Sequence, residues 1–240
     1  MKPYVICHMM QSVDGRIACD MVDKISGDEY YDALGSLDCQ AHIEGRHSYQ
    51  IHRCGFGEFK PTVQGHIAEP AVYVAGRADV YSVSVDTRGT LLWDDGNNSG
   101  HICIVSLKAS PGYLDYLRAK GISYIAVGED RIDLARAASI LHDKFDVKRI
   151  AVVGGGEING GFLAAGLLDE ISVMTAPGID GRKGQPALST ASPTNPDSRP
   201  RDWNSRKYRL IPTASCGRGI KSLSKASARR DAIGSRPRRL

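Results

Sequence analysis

Three consecutive glycines, Gly154 to Gly156, follow an apolar run from Ile150 to Val153, and Gly160 and Gly161 lie just beyond. A strand that turns sharply into a helix exposes unpaired N–H groups at the helix start, and such groups bind anions, phosphate above all. Glycine keeps that backbone uncovered. Asn159, or a neighbour, is placed to cap the helix, with Gly160 and Gly161 leaving its first turn bare. Two readings follow: a phosphate or nucleotide cradle, or a tight strand–helix connection with no ligand. The spacing is not the Rossmann fingerprint, whose third glycine would fall at Asn159, nor a P-loop, since no Gly-Lys-Ser/Thr follows.

Asp14 stands in a turn just past the first strand-like run, beside Gly15. A carboxylate there can bind a polar ligand group or orient a proton donor, or it can form an ordinary Asp-Gly turn. His42-Ile43-Glu44 mimics the start of the zinc deaminase signature, but the chain has no Pro-Cys-x-x-Cys to complete it. His42 and Glu44 are therefore read as strand residues. The six cysteines, at 7, 19, 39, 54, 103 and 216, show no CxxC pair and are read as buried free thiols.

The elements that must hold these residues are clearest in the second half. "HICIVS" reads as a strand, Ser110 and Pro111 open a helix that Gly121 stops, and "ISYIAVG" is the next strand. Asp133 caps "LARAASILHDKF", whose apolar residues form one face, and "RIAVV" leads into the glycines. A helix "GGFLAAGLLDE" and a strand "ISVMTAP" follow. Earlier, "YVICHMMQ", "CQAHIEG", "AVYVAG" and the start of "YSVSVDTRGTLLW" read as strands, with a turn at Asp86 to Gly89, and "DEYYDALGSL" as a helix. Strands alternating with helices imply an α/β fold with a mostly parallel sheet flanked by helices.

The formal net charge of +4 divides unevenly. Residues 189–240 hold 13 Lys/Arg against 3 Asp/Glu, a net of +10, whereas residues 1–188 hold 18 against 24, a net of −6. A general affinity for nucleic acid is thereby excluded for the body; only the tail, with Arg229, Arg230, Arg236, Arg238 and Arg239, could support one. The tail is rich in Ser, Arg, Pro and Gly and has no apolar periodicity, so disorder is expected there, apart from a short strand at Tyr208 to Ile211. The domain expectation is one α/β domain over residues 1–188 and a basic tail over residues 189–240. No apolar run approaches the ~18 residues of a membrane helix, and the first residues lack a signal-peptide layout. A cytoplasmic protein is expected.

Three segments carry a resemblance to a known family: "SVDGRIA" (residues 12–18), "HIEGRHSY" (42–49) and "VVGGGEINGGFLAAGLLDEISVMTAPGIDG" (152–181). The chain resembles the reductase domain of the bacterial riboflavin-biosynthesis deaminase-reductase, within the dihydrofolate-reductase-like superfamily. The resemblance covers roughly residues 1–188, and the glycine segment is its most specific part. It implies NADPH as cofactor, contacted by Gly155 and Gly156, often through an unusual Gly–Gly peptide, with Gly154, Glu157, Ile158 and Asn159 beside them. The family's Gly-Arg-x-Thr/Ser turn matches Gly45, Arg46 and Ser48 and implies contacts to cofactor phosphates. Ser106 matches the position near the adenosine 2′-phosphate, with Lys108 a nearby cation.

The same resemblance places Asp14 near the nicotinamide and substrate, as the catalytic candidate. His8, His47 and Asp14 are the candidate proton donors. The implied activity is NADPH-dependent reduction of a pyrimidine-like or riboflavin-precursor-like heterocycle by a homodimer. The alternatives are a nucleotide-binding protein without turnover, or a dihydrofolate or pterin reductase. The last is disfavoured because the tryptophan-bearing loop and the acidic helix residue of dihydrofolate reductase are missing. Family members also carry a further segment and a final paired strand after the strand at residues 171–176, where this chain's pattern fades after about Leu188. No metal is expected, and the partners are a small-molecule substrate and a second copy of the chain.

Overall fold

The computed structural model describes residues 1–190, apart from 26, 27, 56, 63, 64, 95 and 97. The expected short strand at residues 208–211, the tail and Cys216 lie outside the described residues. Among the described residues eight strands form one sheet: β1 (Tyr4–Gln11), β2 (Ala41–Gly45), β3 (Ala71–Tyr73), β4 (Tyr81–Val85), β5 (His101–Val105), β6 (Ser123–Ala126), β7 (Arg149–Gly154) and β8 (Glu170–Thr175). Their spatial order is β3-β6-β5-β4-β2-β7-β1-β8. Every pair is parallel except β3 with β6. The mostly parallel sheet expected from the alternating pattern is therefore present, with one antiparallel edge.

Among the described residues six helices cover it: α1 (Cys19–Ile25), α2 (Glu29–Gly35), α3 (Arg46–Arg53), α4 (Pro111–Ala119), α5 (Leu134–Phe145) and α6 (Gly156–Ala164). The two best-signalled helices start where their caps predict. Ser110 Oγ accepts from the Tyr113 amide at 3.2 Å, and Asp133 Oδ1 accepts from the Arg136 amide at 2.9 Å. Gly121, at φ +67°, follows α4 in the left-handed conformation that ends many helices.

Alternation along the strands divides the core between the two faces of the sheet. Ile102 and Ile104 of β5 pack with Ala137, Leu141 and Phe145 of α5 and with Ile158 and Phe162 of α6. Cys103 and Val105 of the same strand pack on the other face with Tyr49 of α3 and with Tyr113, Leu114 and Leu117 of α4. Helices α3 and α6 thus lie on opposite faces, although they follow the neighbouring strands β2 and β7. Adjacent parallel strands that send their helices to opposite faces form a switch point, and a crevice opens at their carboxyl ends.

The glycine segment corrects one expectation. Helix α6 begins at Gly156, with Gly155 as its N-cap residue, and not near Gly160. Asn159 is therefore inside the helix, and Gly160 and Gly161 lie in its body. Among the cysteines, Cys7, Cys39, Cys54 and Cys103 are buried as expected, but Cys19 is exposed.

Candidate active site

Strand β2 ends at Gly45 and strand β7 at Gly154, and Glu44 pairs with Gly154 across a register shift after Ile43. Such irregularities re-aim the chain beside sites. Both strands enter helices at once. Gly45, the N-cap of α3, and Gly155, the N-cap of α6, offer no side chain to the first amides of either helix. Two uncapped helix starts therefore open into one crevice, each with amides and a partial positive charge available to an anion.

The crevice is an open groove of about 1280 Å³. Ordinary small-molecule sites run about 300–1,000 Å³, so there is room for a dinucleotide beside a second small molecule. Arg16 and Ile17 reach it from the β1–α1 loop, Arg46, His47 and Ser48 from α3, Asp86, Thr87 and Arg88 from the turn after β4, and Gly155 to Ile158 from α6. Residues 184–187 and Thr190 close its remaining side.

Arg46 is held lightly, by an exposed 3.3 Å ion pair with Glu58. Solvent-exposed pairs of this kind are worth about 0–1 kcal/mol, so an arriving phosphate can displace it. Arg16 Nη1 donates to the Gln185 carbonyl at 3.0 Å, and its buried Nε has no partner among the described residues. Asp86 is buried, and its carboxylate accepts the amides of Thr90 at 2.6 Å and Leu91 at 2.7 Å. Burial pushes its carboxyl above the usual range, while those amides pull the other way. It fixes the turn that presents Thr87 and Arg88.

The residues expected to bind a cofactor are mostly gathered here. Gly45, Arg46, Ser48, Gly155, Gly156, Glu157 and Ile158 all line the groove. The Gly154–Gly155 peptide is cis and Gly154 has φ +131°. A Cβ on Gly155 would stand 3.4 Å from Ser48 Oγ. Ser106 does not line the groove. It is buried, its Oγ donates to the Thr87 carbonyl at 2.8 Å, and so it supports the turn from behind. Lys108 pairs with Asp130 at 2.8 Å, also off the groove.

The glycines have a second occupant. A Cβ on Gly156 would meet the Ala187 carbonyl at 2.5 Å, and one on Gly160 would run into the Thr190 carbonyl. The Thr190 amide donates to the Gly156 carbonyl at 2.9 Å, and Asn159 Nδ2 donates to the Leu188 carbonyl at 2.6 Å. Asn159 Oδ1 is buried with no partner among the described residues. Gly156, Asn159 and Gly160 thus receive the chain's own segment 187–190, while Gly45 and Gly155 keep the helix starts bare.

Asp14 lies outside the groove lining. Its carboxylate accepts from Ser12 Oγ at 2.5 Å and from the amides of Asp180 and Gly181 at 2.9 and 3.0 Å. These bonds, Ser12 first, hold its carboxyl below the usual carboxylate range. Of the other proton-donor candidates, His8 is buried against Tyr30 and Ser172, and His47 lines the groove. Sequence reasoning missed Arg16, Arg88 and the segment 184–190. The turn "DTRG" was visible, but its place beside β2 depends on strand order.

The fold and its crevice define the class: a dihydrofolate-reductase-like α/β domain with a nucleotide-sized groove at a switch point. The RibD C-terminal domain family matches residues 3–209, and the chain belongs to that family. The match runs past Leu188, beyond the point where the sequence pattern fades. Solved structures with the same fold include RibD of Acinetobacter baumannii (form 2), with a TM-score of 0.58 and 19% identity over 83% of this chain and 52% of that one. This chain therefore spans about half the length of that relative. A pyrimidine reductase-like protein of Corynebacterium diphtheriae has a TM-score of 0.58 and 18% identity, over 78% and 80% of the two chains. The riboflavin biosynthesis reductase Rib7 of Saccharomyces cerevisiae has a TM-score of 0.52 and 15% identity, over 81% and 80%. Among the described residues no helix is long and apolar enough to cross a membrane, and no cluster of metal-ligating side chains occurs.

Proposed function

We propose that the chain is an NADPH-dependent reductase of a small pyrimidine-like heterocycle, of the 5-amino-6-(5-phosphoribosylamino)uracil reductase type. The observation that carries this reading is the pair of uncapped helix starts, Gly45–Arg46 and Gly155–Gly156, opening side by side into one groove with Arg16, Arg46 and Arg88. That donor set suits a dinucleotide: amides for the pyrophosphate, guanidinium groups for a further phosphate. The buried Nε of Arg16, without a partner among the described residues, is a donor available to such an acceptor.

When bound, NADPH supplies the hydride. The protein's part is to bind, orient and exclude water. Asp86 and Ser106 fix the turn that carries Arg88, and the segment 184–190 walls the groove on the α6 side. His47, the imidazole on the groove wall, is the proposed proton donor to the reduced substrate. Asp14 is held ionised and serves to fasten residues 180–181. The working unit is proposed to be a homodimer.

Calorimetric titration of the purified full chain with NADPH and then NADH tests the reading. Saturable binding with at least roughly a tenfold preference for NADPH, about 1.4 kcal/mol, is expected. Absence of binding by a protein that melts cooperatively would overturn it. Equal binding of both cofactors would remove the role given to the arginines.

A further inference from the structure

Among the described residues, two hydroxyls from distant parts of the chain stand against the first residues of α6. A Cβ on Gly155 would lie 3.4 Å from Ser48 Oγ of α3, and one on Gly156 would lie 2.8 Å from Thr190 Oγ1. Neither hydroxyl caps the helix, since α6 has no side-chain bond at its N-cap. The amides of its first turn therefore stay open, with a hydroxyl on either side. Ser48 and Thr190 both line the groove, together with Gly155 and Gly156. A hydroxyl donates one hydrogen bond and turns its proton to suit the acceptor.

Thr190 is brought to this place through backbone groups. Its own amide donates to the Gly156 carbonyl at 2.9 Å. Before it, the Leu188 carbonyl accepts from Asn159 Nδ2 at 2.6 Å, and the Pro186 carbonyl accepts from the Ile17 amide at 3.1 Å. The Gln185 carbonyl accepts from Arg16 Nη1 at 3.0 Å, and Ala187 forms an antiparallel bridge with Arg16. Leu188 packs against the cluster of Cys7, Met9 and Ile17. Residues 185–190 are thus tied to the β1–α1 loop at one end and to α6 at the other. The Thr190 hydroxyl takes no part in these ties, and the residue is exposed on the groove wall.

We propose that Thr190 is a ligand-binding residue of the groove, whose hydroxyl donates to the diphosphate of a nucleotide seated on the α6 start. The assignment rests on the nucleotide reading of the groove given above. Strand order says which part of the ligand Thr190 meets. The strands run β4-β2-β7-β1, so the crevice passes from the Arg88 turn, over the starts of α3 and α6, to the β1–α1 loop. Thr190 stands at α6, inside that span, whereas Arg88 and Arg16 stand at its ends. The middle of a dinucleotide is its diphosphate, and a hydroxyl bonded to an anionic oxygen is a strong, charge-assisted donor. NADPH and NADH share that diphosphate, so Thr190 serves both equally and leaves their discrimination to the arginines.

The test titrates the full chain with NADPH, NADH and ADP by calorimetry; ADP carries a diphosphate and no nicotinamide. Thr190→Val keeps the branched shape and the amide that bonds Gly156, but it has no hydroxyl. It should bind each ligand on the order of tenfold more weakly, by a similar factor for all, with an unchanged urea midpoint. Thr190→Ser, which restores the donor, should bind as the wild type does. Wild-type affinity in Thr190→Val would overturn the proposal. So would a Thr190→Ser as weak as Thr190→Val, because the defect would then lie in the seating of the segment. A loss confined to NADPH would overturn the assignment to the diphosphate. Thr190→Ala supplies the same comparison if Thr190→Val fails to fold. A wild type that binds ADP but neither dinucleotide would refute the reductase reading, and the ADP affinities of the variants would still decide the role of Thr190. A folded wild type that binds none of the ligands would overturn both.

Discussion

Asn159 Nδ2 donates a 2.6 Å hydrogen bond to the carbonyl of Leu188, and this bond fastens the helix of the glycine signature to the segment that walls its groove. The signature therefore answers two demands. Gly45 and Gly155 leave helix amides open, whereas Gly156 and Gly160 let residues 187–190 lie directly on α6. The predictions below separate these roles.

Gly156→Ala and Gly160→Ala should each destabilise the protein by about 1–3 kcal/mol, the range for overpacking a tight contact. Each new methyl meets a carbonyl of the 187–190 segment. Gly35→Ala, which meets nothing within 4 Å, should stay within about 0.5 kcal/mol of the parent. Urea unfolding measures all three. Equal effects at the three positions would mean that segment 187–190 does not rest on α6.

Arg46→Gln and Arg88→Gln should each weaken NADPH binding about tenfold, roughly 1.4 kcal/mol, without lowering the melting temperature. Arg46 gives up only an exposed pair with Glu58. Calorimetry with NADPH and NADH for each variant shows which guanidinium reads the phosphate that distinguishes them. Unchanged affinity in both would remove them from the site.

Asp14 sets an acid dependence. Its carboxyl is held low by Ser12 and by the amides of Asp180 and Gly181. A folded-state value below the unfolded one, about 3.9, gives a stabilising contribution that is complete above that pH. It is lost as pH falls through the lower folded value. Asp14→Asn should therefore be less stable than the parent at neutral pH, and the difference should close as pH drops below about 3.9. Urea midpoints of both proteins across this range provide the check. A constant gap would place the stabilisation elsewhere.

Buried and half-buried imidazoles act in a higher window. Burial lowers the pKa of His8, His42 and His101, the last held 2.5 Å from the Tyr49 hydroxyl. Their folded states bind protons less readily than the unfolded chain, so stability is greatest above about pH 6.5 and declines as pH falls below it. His52, pushed up to about 10, has the opposite sign: its contribution is complete below about pH 6.5 and is lost progressively as pH rises from there through the folded value. His101→Gln should flatten the decline in urea midpoint between about pH 7 and about pH 5. An unaltered slope would show that His101 takes no part in it.

What the sequence disclosed follows from the range over which each signal acts. Ser110 and Asp133 cap α4 and α5 through amides three residues away, so those starts are legible in a short window. Helix α3 escaped notice because, among its residues Arg46–Arg53, only Tyr49 is buried, and its N-cap, Gly45, carries no side-chain signal. The start of α6 was misplaced for a related reason. Asn159 looks like a cap, but its partner is Leu188, 29 residues on, and no local pattern announces that bond. The glycine, Arg46 and Ser48 positions were legible through the family resemblance. Arg16, Arg88 and the 184–190 wall depend on strand order and on a segment without periodicity.

The contact between Thr190 and Gly156 bears on how the protein can be shortened. The last described residue is hydrogen-bonded to the first residue of α6, and residues 184–190 form one side of the groove. A truncation at Leu188, where the sequence pattern fades, would strip the cover from Gly160 and leave the Gly156 carbonyl without its donor. A shortened chain meant to keep the groove intact has to include Thr190, whose amide lies at the α6 helix start.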